Sequence, residues 1–155
     1  MVLGGASALA CSDGGDALTL EEYFKKLDEI DDEQTRASDA LDEQISALEG
    51  EADVEVALDL FNQQVDLIEE FVEDVDGLDA PDEVSDVHEE ALTNLREAVA
   101  DFRDIVRDAE GATTLGELFA SLEDADFSAF EAAAENCREL QQIATDSDIE
   151  VDLDC

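Results

Sequence analysis

Three groups of residues in this chain have types and spacings that bear on chemistry: a single histidine, a ladder of alternating carboxylates, and three cysteines. His88-Glu89-Glu90 begins like the zinc-protease helix motif, in which two imidazoles one helical turn apart hold the metal and the glutamate serves as base. The second imidazole would have to stand where Leu92 is. A di-iron bundle needs two Glu-x-x-His motifs; Ser85 lies three residues before His88, and there is no second histidine. His88 is therefore expected near the start of a helix, at the edge of the core. Asp146, Asp148, Glu150, Asp152 and Asp154 alternate like the early ligands of a calcium loop, but the glycine needed for that loop's sharp turn is replaced by Val151. Loosely held cations are expected there and no specific metal site. The chain has no glycine-rich phosphate loop, no histidine to spare for a Ser/His/Asp set, and no lysine besides Lys25 and Lys26. The expectation is a protein that is not an enzyme and carries no cofactor.

The cysteines are Cys11, Cys137 and Cys155, an odd set that invites separate roles. Residues 148–155 change period from helical to two, so an extended tail presents Ile149, Val151, Leu153 and Cys155 to one side. At ~3.3 Å per residue such a tail, folded back along the preceding helix, reaches Cys137. Cys137 and Cys155 are then either a disulfide, implying an oxidising compartment, or two core-side thiols.

The first ten residues, MVLGGASALA, are small and uncharged and run directly into Cys11. Ala8-Leu9-Ala10-Cys11 resembles the lipobox of bacterial lipoproteins, in which small residues precede a cysteine that is lipidated and becomes the new N-terminus. The resemblance covers about ten residues. It implies lipidation at Cys11, a lipid anchor in the membrane, and an extracytoplasmic or secreted location. An entire signal peptide spans roughly 15 to 30 residues with a charged start, so residues 1–10 are expected to be part of one. The alternative is an unstructured Gly/Ala terminus with an incidental cysteine. Residues 11–18, small and polar, suit a flexible tether, and 19–155 a single acidic domain.

Composition narrows the partners. Of 155 residues, 46 are Asp or Glu and 7 are Lys or Arg, giving a net charge of −39. Such a surface repels nucleic acid and attracts cations and basic proteins. Like charges three and four apart on one helix, such as Glu69 and Glu73, repel by a few tenths of a kcal/mol per pair. The fold is thus expected to gain stability with salt.

These groups must be positioned by helices. Thr19-Leu20-Glu21-Glu22 is a capping box opening a first helix, whose stripe runs from Leu20 to Leu48 with interruptions at Asp31 and Gln34, where a kink, fraying or exposure is expected. Val54, Leu58, Phe61, Val65, Ile68, Val72 and Val75 form the seam of a second helix, about 51–76. Gly77 suits a left-handed position after it, and Pro81 a first turn of a third helix, 81–110. A second capping box at Thr114 to Glu117 opens a short helix, and a last one runs from Phe127 to about Ala144, headed by an aspartate of 124–126. The expected fold is all-α: an antiparallel four-helix-type bundle with a broken last helix and an extended C-terminal tail.

Three functions fit this reading. The first is a non-catalytic, lipid-anchored interaction or envelope module. The second is a cytoplasmic DNA mimic that occupies a basic nucleic-acid-binding protein. The third is an amphipathic lipid carrier whose bundle opens.

Overall fold

Thr19 sets where the fold begins. Its hydroxyl accepts from the Glu22 backbone amide at 3.3 Å while the Glu22 carboxylate accepts from the Thr19 amide at 3.1 Å. Two amides that a helix start leaves without partners are thus satisfied reciprocally. The Thr19 hydroxyl also donates to the Glu22 carboxylate at 2.7 Å, and this bond, together with that from the Thr19 amide, holds the Glu22 carboxyl below its ordinary value. The computed structural model describes residues 18–48, 54–123 and 125–155. Residues 1–17, and with them Cys11 and the lipobox-like segment, lie outside the described residues.

Five helices follow: α1 Leu20–Ser46, α2 Val54–Asp76, α3 Ser85–Ala109, α4 Leu115–Glu123 and α5 Ser128–Asp146. The protein is all-α and packs as a helical bundle, with α4 and α5 as the two pieces of the broken last helix. Registers across the interfaces show antiparallel neighbours. Arg96 on α3 pairs with Asp76 on α2 at 2.6 Å, and one turn pair further along Arg103 pairs with Glu69. Asn94 on α3 donates to Asn136 on α5 at 2.7 Å, while Phe102 meets Phe130 edge-on.

The α2 seam is buried from Phe61 through Val65, Ile68 and Val72 to Val75, opposite Leu92, Val99, Phe102 and Val106 of α3. α4 lies against α3 and α2, with Leu118 fully buried and Phe119 edge-on to Phe61. Removing a side chain of this kind costs about 2–5 kcal/mol, because the void it leaves only partly collapses.

Several local expectations change. α1 is continuous through Asp31 and Gln34, so there is no break in the helix there. The physical reason is that both residues have neighbours: Asp31 accepts a hydrogen bond from the tail and Gln34 lines a groove. Gly77 is not left-handed; a Cβ there would sit 3.3 Å from the Asp74 carbonyl oxygen, so close backbone approach is what glycine serves. α3 starts at Ser85, after a separate turn in which the Val84 amide donates to the Pro81 carbonyl. At the start of α4, Thr114 accepts from Glu117 as expected, but the Glu117 carboxylate reaches one residue further back, to the Thr113 amide and hydroxyl, both at 2.8 Å. The N-cap of α5 is Phe127, which makes no side-chain cap, rather than an aspartate; Asp126, one residue earlier, accepts from the Ser128 amide at 2.9 Å.

Candidate functional site

The helices pack in sequence, α1 on α2, α2 on α3 and α3 on α5, but α1 and α5 have no comparable packing with each other. The fourth side of the bundle is therefore a slot. Its origin lies in α1, whose buried residues are Tyr23, Phe24 and Leu27. Below Leu27 the described side chains of α1 are at most half-buried, including the seam residues Ala37, Leu41 and Ile45, and so is Leu48 just past its end.

The tail fills the upper part of this slot. At the end of α5 the Ile149 amide donates to the Ala144 carbonyl at 2.9 Å and the Asp148 amide to that of Thr145 at 3.2 Å. That pattern, with Asp148 at φ 57°, is the left-handed cap that reverses a chain after a helix. The chain then runs back down between α1 and α5. Gln141 on α5 grips it from one side, donating to the Val151 carbonyl at 3.1 Å and accepting from the Leu153 amide at 2.8 Å. Asp28 and Asp31 on α1 grip it from the other, accepting from the amides of Asp152 and Asp154 at 3.1 and 2.7 Å. Leu153 is buried, and Ile149 and Val151 are half-buried, as the two-residue period requires.

Cys155 closes the strap through a disulfide to Cys137, with Cα atoms 5.6 Å apart. Of the three cysteines singled out in the sequence, the structure brings these two together. The Asp31 carboxyl is raised above its ordinary value, first by burial and then by the neighbouring carboxylates of Asp154, Asp28 and Asp32, against the pull of the Asp154 amide.

His88 is not at the edge of the core but inside it. Its Nδ1 lies 3.0 Å from the Tyr23 hydroxyl, and the rings meet edge-on with centroids 5.7 Å apart. Burial lowers the imidazole below its ordinary value, outweighing Asp76 and Glu89, and raises the Tyr23 hydroxyl to about 12. The pair is neutral at physiological pH and ties α1 to α3 across the bundle. The helical spacing of the sequence placed His88 on the stripe, but nothing in it pointed to Tyr23, 65 residues away.

Below the disulfide the slot continues as a groove of about 390 Å³. Its α1 wall is polar, with Asp31, Gln34, Thr35 and Ser38; its floor and far wall are apolar, with Phe71, Leu95, Phe130 and Ala134 among them. A larger hollow of about 620 Å³ lies at the other end of the tail, but Glu21, Lys25, Asp148 and Glu150 make it a polar surface crease. Among the described residues no group of three or more His, Cys, Asp or Glu is arranged to hold a metal ion, and no helix is long and apolar enough to cross a membrane. No protein-family profile, curated protein or solved structure matches the chain.

Proposed function

We propose that the protein is a non-catalytic, acidic helical-bundle module, held outside the membrane through a lipid on Cys11 and presenting its surface to cationic partners. The observation that carries this reading is the bond between Cys137 and Cys155. It accounts for two of three cysteines, in a form that persists in oxidising compartments, and leaves the one that follows the lipobox-like residues. A bond of this kind weighs against the cytoplasmic DNA mimic. The charge of −39 supports a basic or cationic partner.

The test is metabolic labelling of producing cells with an alkyne-tagged fatty acid, followed by fractionation. The expected result is label on the wild type in the membrane fraction and none on Cys11→Ser. An unlabelled wild type with an unprocessed Met1 and reduced thiols would replace this reading with the cytoplasmic one.

A further inference from the structure

We propose that the groove below the disulfide is a binding site for a small, uncharged apolar molecule bearing a hydroxyl group. The inference concerns a ligand rather than a protein partner and does not depend on anchorage through Cys11.

Four observations specify the ligand. The groove is the unfilled continuation of the slot between α1 and α5, and its volume of about 390 Å³ falls in the range of small-molecule sites, roughly 300–1,000 Å³. At roughly 30 Å³ for each water displaced, it holds on the order of a dozen heavy atoms. Its floor and far wall are apolar, so the body of the ligand is apolar. Its uncharged polar side chains lie together on one side: Gln34, Thr35 and Ser38 on α1, and Gln64 on α2 beside them.

Gln64 is the telling residue. Its Nε2 donates to the Ser38 hydroxyl at 2.9 Å, while its Oε1 is buried with no hydrogen-bond partner among the described residues. Leaving a buried polar atom unanswered is costly, and such atoms call for a partner. A hydroxyl both donates and accepts, so it serves whichever end of the amide turns toward it. The charge of the ligand follows from the upper end of the groove, where Asp31 and Asp154 stand. A carboxylate or phosphate head would face both of them.

The test is displacement of 1-aminoanthracene, a small neutral fluorophore, from the full chain with its disulfide intact. The competitors are decanol and decanoate, which share a chain and differ in head group. The expected result is saturable displacement by decanol at a concentration about tenfold or more below that needed for decanoate. Ala134→Trp, which fills the groove from the α5 wall, should abolish decanol displacement while helicity is retained. Gln64→Leu, which removes a single side-chain bond, should bind 1-aminoanthracene as the wild type does and need several-fold more decanol for displacement, while Asp31 and Asp154 still disfavour decanoate.

Absence of saturable displacement by decanol from the wild type would overturn the proposal. So would equal displacement by the two competitors, or displacement by decanol that is unchanged in Gln64→Leu. A dimer that Ala134→Trp dissociates would also overturn it, since a second copy would then be what covers the groove.

Discussion

The backbone amide of Asp154 donates to the side chain of Asp31 at 2.7 Å, so one aspartate holds the peptide group of another while their carboxylates repel. The tail docks on α1 through amide donors, which ionised carboxylates accept strongly, in a place where added negative charge is unfavourable. Asp31 settles this conflict by a raised pKa. A raised carboxyl binds its proton more readily in the folded than in the unfolded chain. Its contribution to stability therefore grows as pH falls through the folded value, and is complete below the ordinary value of 3.8. Asp31→Asn keeps an acceptor and removes the charge. It is expected to melt higher than the wild type at pH 7, with the difference vanishing in acid. A variant that melts lower at pH 7 would show that the ionised carboxylate is the better clasp.

The buried Tyr23–His88 pair acts in the opposite direction. A lowered imidazole resists protonation in the folded state, so stability is complete above its ordinary value of 6.5 and declines as pH falls below it. As the single histidine, it gives one imidazole resonance by NMR. That resonance should titrate below 6.5. Tyr23→Phe strands the ring nitrogen and should cost about 1–3 kcal/mol by urea denaturation.

Asp148 reverses the chain in a left-handed conformation, at φ 57°. Glycine adopts this without strain, whereas an ordinary side chain costs roughly 1–2 kcal/mol there. A carboxylate at this end of a helix also opposes its dipole. Asp148→Gly is expected to raise the urea midpoint and Asp148→Val to lower it, without a change of slope in either case.

The disulfide closes a loop with a sequence separation of 18. Constraining the unfolded chain over that length is worth roughly 3 kcal/mol in the chain-entropy account. Cys155→Ser should lose about that much by chemical denaturation. Native, unreduced protein should leave Cys137 and Cys155 unlabelled by maleimide. Labelling of both would remove the strap from the account.

Repulsion between like charges should make the protein melt higher in 1 M than in 0.1 M salt, as the Debye length falls from ~10 to ~3 Å. Arg96 and Arg103, which reach from α3 to Asp76 and Glu69, oppose this locally between helices. Both pairs are about half exposed, so Arg103→Gln should cost no more than about 1 kcal/mol at low salt and less at high salt.

Much of this fold was legible in the residues. The Thr19–Glu22 box, the α2 seam, the break at 124–126 and the period-two tail are local patterns with local causes, and the reach of an extended chain allowed the pairing of Cys137 with Cys155 without deciding it against two free thiols. What escaped was relational. Periodicity says which face of α1 is apolar, but not that α5 stands away from it, so Asp31 and Gln34 read as faults in a helix when they are the wall of a slot. The left-handed cap fell on an aspartate instead of a glycine, and Gly77 answered a close carbonyl instead of a turn. The orphaned oxygen of Gln64 depends on the position of Ser38, 26 residues earlier, and no spacing rule connects them.

The order in which the chain assembles follows from where the tail is held. The α1–α2 and α2–α3 hairpins join segments close in sequence and so can zip up early, whereas the clasps of Asp28 and Asp31 on the tail span 124 and 123 residues and form late. Until they do, Leu153 and the oily trough beneath it stand bare to solvent, and that interval is when a chaperone, or a stray neighbouring molecule, finds its hold.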